Sequence, residues 1–222
     1  MRRLMTVPAL ELVELGVSYD RPVVEGFSLR VERGESVALM GPSGSGKSSI
    51  LSCVVGMQRP TRGRVTVDGH EMSSLRAGQR ARLRRELVGV AYQESGLLPE
   101  LSVAENVAVT LLFDGVPRGE ALGLARESLA AVGLAGHADK AVDEISGGQA
   151  QRVSIARALV RPGAVLLVAD EPTASLDRVA AGEVIDLIAE RVRARGVGAL
   201  IATHDPAVAA ACDAVVDLRG RA

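Results

Sequence analysis

The stretch Gly41-Pro42-Ser43-Gly44-Ser45-Gly46-Lys47-Ser48 fits the pattern G-x-x-x-x-G-K-[ST], in which a loop folds around a polyphosphate. Its glycines carry no side chain, so several backbone N–H groups can converge on one anion. In this pattern the ammonium of Lys47 reaches the β- and γ-phosphates, and the hydroxyl of Ser48 coordinates Mg²⁺. The motif therefore predicts a nucleotide site, although it does not say how the nucleotide is used.

The segments on either side of this loop support the prediction. Ser36-Val37-Ala38-Leu39-Met40 is a short apolar run of strand type, and residues 49–55 have the pattern of a buried helix. A strand, a glycine-rich loop and a helix N-terminus together form an anion site. The alternative, a flexible Gly/Ser-rich linker, is disfavoured by this context.

Composition limits the classes of protein to be considered. The chain has 222 residues, of which 47% are hydrophobic, and no Pro/Gly/Ser-rich linker divides it. A net charge of -1 argues against a general nucleic-acid binder, so we expect no nucleic-acid partner. No apolar run approaches the roughly 18 residues of a membrane helix, and Met1-Arg2-Arg3-Leu4 is not followed by the apolar region of a secretory signal. Cys53 and Cys212 have no metal-type spacing, and we expect core thiols in a reducing cytosol.

The periodicity changes along the chain. Residues 9–40 alternate apolar and polar positions, as in Leu10-Glu11-Leu12-Val13-Glu14-Leu15, which is typical of half-exposed, antiparallel strands. Val165-Leu166-Leu167-Val168-Ala169 is a continuous apolar run of the buried parallel type. Strands and helices alternate in the second half, which predicts an α/β fold with a parallel sheet covered on both faces.

Two carboxylates follow that buried strand. Asp170 and Glu171 stand at its C-terminal end, the end at which open α/β sheets bind ligands. Asp170 is placed to bind Mg²⁺ directly or through water, and Glu171 to orient or deprotonate an attacking water. Adjacent acids at a strand end also occur as ordinary turn residues, but the phosphate loop favours the catalytic interpretation.

A second candidate anion site opens another helix. In Ser146-Gly147-Gly148-Gln149, Ser146 can act as an N-cap, and the two glycines leave backbone N–H groups bare at the positive end of the helix dipole. One nucleotide in one chain does not require this second site. A capped helix start without further function is the alternative interpretation.

Taken in order, these motifs resemble those of ATP-binding-cassette (ABC) ATPases over essentially the whole chain. The matching positions are Tyr19, the phosphate loop, Gln93, Ile145-Ser146-Gly147-Gly148-Gln149, Asp170-Glu171-Pro172-Thr173, Ser175-Leu176-Asp177 and His204. The resemblance implies one cassette domain over residues 1–222, with an N-terminal antiparallel β subdomain and a mixed or parallel core sheet. Residues 1–92 and 161–222 would form the nucleotide-binding core, and residues 93–160 a helical subdomain with the signature motif.

The resemblance also implies roles for individual residues. Tyr19 would stack on adenine, although a tyrosine packed in the core is the alternative, and the ATP loop would extend to Ser49, where threonine is common. Gln93 would reach Mg²⁺ and the attacking water, and His204 would hydrogen-bond the γ-phosphate. Two cassettes would pair head to tail, so that Ser146 to Gln149 and Asp177 act on the nucleotide held by the partner.

The family resemblance extends to one clade. Gly89-Val90-Ala91-Tyr92-Gln93 and residues 97–107 resemble cassettes that serve lipoprotein release, macrolide efflux and cell division. We therefore predict an ATPase subunit that pairs with itself or with a paralogous cassette and binds a separate permease near residues 93–106. It would act in the cytoplasm, on the inner face of the plasma membrane. A cell-division cassette that transmits force without moving solute stays open; a DNA-maintenance cassette is disfavoured by the ordinary interval between Lys47 and Ser146.

Overall fold

The computed structural model describes residues 7–219; the segment Met1–Leu4, in which we predict no secretory signal, lies outside them. The strands are β1 (Leu10–Ser18), β2 (Pro22–Val31), β3 (Ser36–Met40), β4 (Arg62–Val67), β5 (His70–Glu71), β6 (Val88–Ala91), β7 (Leu166–Asp170), β8 (Gly198–Thr203) and β9 (Ala214–Asp217). The α-helices are α1 (Lys47–Val54), α2 (Ala77–Leu87), α3 (Val103–Leu112), α4 (Arg118–Ala131), α5 (Gly147–Leu159), α6 (Arg178–Arg195) and α7 (Pro206–Ala210). Short 3-10 turns cover Ala135–His137 and Val142–Glu144.

The strands form two sheets. The first has the order β2-β1-β4-β5, and its pairs are antiparallel. The second has the order β6-β7-β8-β3-β9, and its neighbours are all parallel. The predicted combination of an N-terminal antiparallel sheet, a parallel core sheet and helices is therefore confirmed.

The parallel sheet is covered on both faces because its central strands carry continuous apolar runs, at residues 166–169 of β7 and residues 199–202 of β8. On β7, Leu166 and Val168 belong to a core shared with α1 and the antiparallel sheet, while Leu167 and Ala169 belong to a core shared with α3 to α6. Successive side chains of a strand point to opposite faces, so a continuous apolar run needs a cover on each side. The same alternation divides β8 between the two cores.

The arginine-rich helix α2 is explained by its contacts with the end of α1. The buried Arg80 donates from Nε to the carbonyl of Gly56 at 3.1 Å, and Arg84 donates from Nη1 to the carbonyl of Val55 at 3.3 Å. Arginine side chains at a helix C-terminus satisfy its free carbonyls and oppose its dipole. These two arginines therefore hold the far end of the helix that begins at Lys47.

No helix within residues 7–219 has the length and apolar character needed to cross a bilayer.

Candidate active site

The candidate site lies at the C-terminal edge of the parallel sheet. The phosphate loop follows β3, Glu171 follows β7, and His204 follows β8. The registers place the last residues of these strands side by side, with Met40 opposite Thr203 and Asp170 opposite Ala202. Parallel pairing brings together segments that are more than a hundred residues apart in the chain.

The phosphate loop has the open backbone that its sequence predicts. Gly44 and Gly46 adopt positive φ angles of 81° and 92°, a region that residues with a side chain rarely occupy. A Cβ atom at Gly44 would have no described residue within 4 Å. No side chain within residues 7–219 caps α1, so the first-turn N–H groups are available to an anion at the positive end of the helix.

Lys47 directs its ammonium into this loop. The residue is buried, and its Nζ donates to the carbonyl oxygens of Gly41 and Pro42 at 2.5 and 3.3 Å. Its carboxylate neighbour is Glu171, whose Oε1 lies 3.7 Å from Nζ. A buried cation needs acceptors around it, and here loop carbonyls and one carboxylate provide them. The arrangement fits a loop that binds a polyanion.

Glu171 contacts His204 as well as Lys47. Its Oε2 lies 2.9 Å from Nδ1 of His204 and accepts the backbone N–H of His204 at 3.3 Å. Glu171 also adopts a positive φ of 48°, a strained conformation for a residue with a side chain. In this conformation, the carboxylate of Glu171 lies at the sheet edge between Lys47 and His204.

Ser48 and Asp170 form a pair of oxygen ligands beside Lys47. The Ser48 hydroxyl lies close enough to the Asp170 carboxyl to lower its pKa. Burial raises the pKa of Asp170, the charge of Glu171 raises it further, and Lys47 and Ser48 oppose the shift. Within residues 7–219, no cluster of three or more His, Cys, Asp or Glu side chains could hold a metal ion by itself. Such a sparse set of hard oxygen donors suits Mg²⁺, which takes few protein ligands and fills its shell with water and phosphate.

Tyr19 lies at the surface beside the phosphate-loop helix. Its side chain is 61% exposed, so the alternative of a core tyrosine is wrong. The phenol donates to Oε1 of Gln58 at 2.7 Å and lies 3.5 Å from the hydroxyl of Ser49. These contacts hold an aromatic ring near α1 with its surface accessible.

Gln93 follows β6 on the same sheet edge, and its side chain is exposed. Its segment is fastened to α5 by two side chains that the sequence analysis missed. The buried Gln151 donates to the carbonyl of Tyr92 at 3.0 Å, and Arg157 donates to the carbonyls of Ser95 and Gly96 at 2.5 and 2.8 Å. Both are ordinary helix residues in the sequence, and no local pattern distinguishes them.

Asn106 is a third residue that the sequence analysis missed. It is fully buried, accepts the N–H of Leu98 at 2.7 Å and donates to the carbonyls of Leu98, Leu101 and Ser102 at 3.0 to 3.2 Å. One amide side chain therefore fixes the shape of the loop that precedes α3. A buried polar side chain with all its partners in place gives a segment a defined conformation.

The segment from Ser146 to Gln149 forms a reciprocal cap at the start of α5. The Ser146 hydroxyl accepts the N–H of Gln149 at 3.3 Å, and Oε1 of Gln149 accepts the N–H of Ser146 at 2.9 Å. These two bonds satisfy the cap without using the N–H groups of Gly147 and Gly148. The bare N–H groups stay available at the helix N-terminus.

The cavity beside this segment is not lined by any residue of the phosphate loop of the same chain. A Cβ atom at Gly147 would meet Leu176, and one at Gly148 would meet Ala180; no other described residue lies within 4 Å. Ser146 to Gln149 line a surface cavity together with Asp177. Asp177 itself caps α6, because its Oδ1 accepts the N–H groups of Val179 and Ala180 at 2.9 and 3.0 Å. Residues 7–219 thus present two candidate anion-binding surfaces, of which only one contains the lysine and the glutamate.

Comparison with known proteins gives a consistent result. A family model described as ABC transporter matches residues 24–174. The chain is 44% identical over 198 residues to the lipoprotein-releasing system ATP-binding protein LolD 1 of Rhodospirillum rubrum, covering 89% of this chain and 87% of that protein. It is 43% identical over 216 residues to LolD 2 of Caulobacter vibrioides, covering 97% and 94%. It is 41% identical to the macrolide export ATP-binding/permease protein MacB of Shigella flexneri, covering 96% of this chain but 33% of MacB.

Solved structures agree with these sequence matches. A dimeric post-hydrolysis state of the ATP-binding cassette MJ0796, bound to ADP and Pi, is 30% identical with a TM-score of 0.82, covering 94% of this chain and 93% of that one. The cbiO1 protein of Clostridium perfringens, part of an ABC transporter complex, is 30% identical with a TM-score of 0.85, covering 95% and 84%. The chain therefore belongs to the ABC transporter family, as an ATP-binding and ATP-hydrolysing cassette.

Proposed function

We propose that this chain is the ATPase subunit of a membrane transport complex of the efflux or lipoprotein-release type, and that two cassettes close head to tail around ATP. The observation that carries the proposal is the separation of two complementary surfaces. One holds Lys47, Glu171 and His204; the other presents the bare N–H groups of Ser146 to Gln149. Each surface is half of a phosphate site, and a second copy, or a paralogous cassette, would supply the missing half.

In this proposal, ATP is held by the loop from Gly41 to Ser49, with Tyr19 against the base. Aromatic side chains stack on bases with a gain of about 1–3 kcal/mol in nucleic-acid complexes. Ser48, Asp170 and Gln93 would hold Mg²⁺, which neutralises charge on the phosphate oxygens when it is bound. Two observations support the binding of ATP with Mg²⁺ at this site: the closeness of Ser48 to Asp170, and the open space around the phosphate loop at Gly44.

The proposed catalytic residues act on water and on charge. Glu171 would accept a proton from the attacking water, a role for which a half-buried carboxylate at the sheet edge is suited. Lys47 stabilises negative charge within the loop, and Gln93 orients the water. His204 already donates its backbone N–H to Glu171 and holds its ring against the same carboxylate. We assign it a second role as a hydrogen-bond donor to the γ-phosphate.

The permease is proposed to bind near residues 93–106, with the chain on the cytoplasmic face of the plasma membrane. Asn106 stabilises the loop before α3, and Gln151 and Arg157 connect the segment after β6 to α5. A permease bound to this surface would therefore contact a segment that begins at Gln93 and is hydrogen-bonded to α5, the helix that Ser146 caps. The similarity to LolD and MacB favours transport. We keep the division into a core of residues 1–92 and 161–222 and a helical subdomain of residues 93–160 as part of this proposal.

The catalytic assignment is tested by Glu171→Gln. Because the amide keeps the size of the side chain but cannot take up the proton, we expect turnover to fall by about 10²-fold or more, the range for loss of a general base. ATP binding should persist, and an ATP-bound dimer should accumulate in size-exclusion chromatography. Hydrolysis at the wild-type rate would show that Glu171 is not the base.

Head-to-tail pairing is tested by mixing two inactive chains. Lys47→Ala removes the phosphate cation, and Ser146→Arg blocks the second surface; a mixed dimer keeps one composite site with both halves intact. We expect each variant alone to be inactive and the mixture to regain part of the wild-type activity. If mixed dimers form, as shown by differently tagged chains, but no activity returns, the two surfaces do not belong to one site.

A further inference from the structure

The capping box that shapes the Ser146 to Gln149 segment has a neighbour outside the helix. His137, at the end of the 3-10 turn Ala135–His137, places its Nε2 atom 3.2 Å from Nε2 of Gln149. His137 is partly buried, and its Nδ1 atom is buried with no hydrogen-bond partner among residues 7–219. Among the described residues, Gln149 is therefore the hydrogen-bond partner of this ring.

The hydrogen bonds assign the proton in this contact. Oε1 of Gln149 must face Ser146, because the backbone N–H of Ser146 can only donate to it. The amide nitrogen then faces His137, and an amide nitrogen donates but does not accept. His137 Nε2 must accept, so the neutral ring carries its proton on Nδ1.

We propose that His137 is a positioning residue for the ATPase reaction, because it holds the Gln149 amide in the orientation that closes the cap. Without this acceptor, the Gln149 amide would keep only its hydrogen bond from the N–H of Ser146, so the side chain would be held at one end instead of two and the cap would open more often. The N–H groups of Gly147 and Gly148 would then lose their fixed direction. The inference rests on the proposed role of Ser146 to Gln149 in the partner's nucleotide site.

The test compares two substitutions of His137. His137→Leu fills similar space without an acceptor, whereas His137→Gln offers an Oε1 atom at nearly the reach of Nε2. We expect His137→Leu to lower kcat by about two- to ten-fold, the factor for one ordinary hydrogen bond, with little change in the ATP affinity of the monomer. His137→Gln should restore most of the loss. His70→Leu, a change at an exposed histidine on β5, is the matched control and should leave kcat unchanged.

Nuclear magnetic resonance of the ring nitrogens gives an answer that does not depend on the stability of a variant. In the wild-type chain, the uncharged His137 ring should be protonated on Nδ1. A neutral ring protonated on Nε2 would overturn the proposal. Two kinetic results would also overturn it: a turnover of His137→Leu equal to that of His70→Leu, or a turnover of His137→Gln as low as that of His137→Leu. If the Lys47→Ala and Ser146→Arg mixture regains activity while His137→Leu is fully active, this inference alone fails. No recovery in the mixture is a failure of the proposed head-to-tail function.

Discussion

Alanine at Gly46 should destabilise the fold more than alanine at Gly44, although both glycines lie in the phosphate loop with positive φ. Both substitutions place a side chain in the left-handed region, which costs about 1–2 kcal/mol per residue. At Gly46, the new Cβ would also lie 2.7 Å from Cγ2 of Val24 and 3.3 Å from the carbonyl of Val23, whereas at Gly44 no described residue lies within 4 Å. Val24 is a core residue and cannot move away freely.

The overlap adds an overpacking cost of about 1–3 kcal/mol. We therefore expect the unfolding free energy of Gly46→Ala to be about 2 kcal/mol below that of Gly44→Ala. For a chain of this size, the difference corresponds to a Tm lower by about 4–8 °C. Urea unfolding without nucleotide is the assay, because bound nucleotide would add its own stabilisation of the folded state.

A double-mutant cycle with Val24→Ala identifies the contact. Val24→Ala removes Cγ2 and is itself destabilising, but in its background the additional cost of Gly46→Ala should fall by about 1 kcal/mol. The cost of Gly44→Ala should be the same in both backgrounds. Equal unfolding free energies for Gly44→Ala and Gly46→Ala, or an unchanged cost of Gly46→Ala beside Val24→Ala, would refute the steric argument.

Two further predictions concern stability away from the loop. Ser36 donates from its N–H and hydroxyl to Asp213 at 2.8 and 2.5 Å, and these hydrogen bonds lower the pKa of that carboxyl to about 2. The ionised carboxylate therefore stabilises the fold fully above about pH 4, and this stabilisation is lost as the pH falls toward 2. Because the Asp213 side chain is 35% exposed and partly screened by solvent, we expect the stabilisation to be about 1 kcal/mol. Asp213→Asn should lower the urea midpoint at pH 7, and the gap to wild type should close by pH 2; a constant gap contradicts the linkage. Gly89→Ala would place Cβ 2.1 Å from the carbonyl oxygen of Ala158 on α5 and should lower the unfolding free energy by about 3 kcal/mol. The control Gly123→Ala, at an exposed position on α4, should leave the unfolding free energy unchanged or raise it by up to about 1 kcal/mol. Equal Tm values for the two variants would contradict this prediction.

Most of the phosphate site could be predicted from the sequence because its parts are local. Seven consecutive residues from Gly41 fix the loop and its lysine, and the apolar run before Asp170 identifies a buried strand with two acids at its end. Parallel topology then requires the ends of β3, β7 and β8 to meet at one edge. The order of motifs placed the chain in its family, and the comparisons confirm that placement.

The contacts beside the second surface and those of the segment after β6 could not be predicted in this way. Asp177 is a helix cap in the structure, and Gln151 and Arg157 reach back 59 to 62 residues to hold the segment after β6. Such contacts are made by residues of ordinary helical pattern. They are decided by which helices pack together, and amphipathic periodicity does not specify a partner.

The sequence by itself therefore determined a phosphate site, since a glycine-rich loop and a lysine need only their own backbone and one strand to form one, and the order of its motifs identified an ATP-hydrolysing cassette. The tertiary structure decided where the proposed second half-site lies. It placed Ser146 to Gln149 beside Asp177, in a cavity that Lys47 does not line, and it set His137 against Gln149. The physical reason is how far apart in the sequence the interacting residues are. The backbone conformation of a glycine-rich loop depends on its own residues, whereas the relative position of two helix N-termini depends on the packing of the whole core.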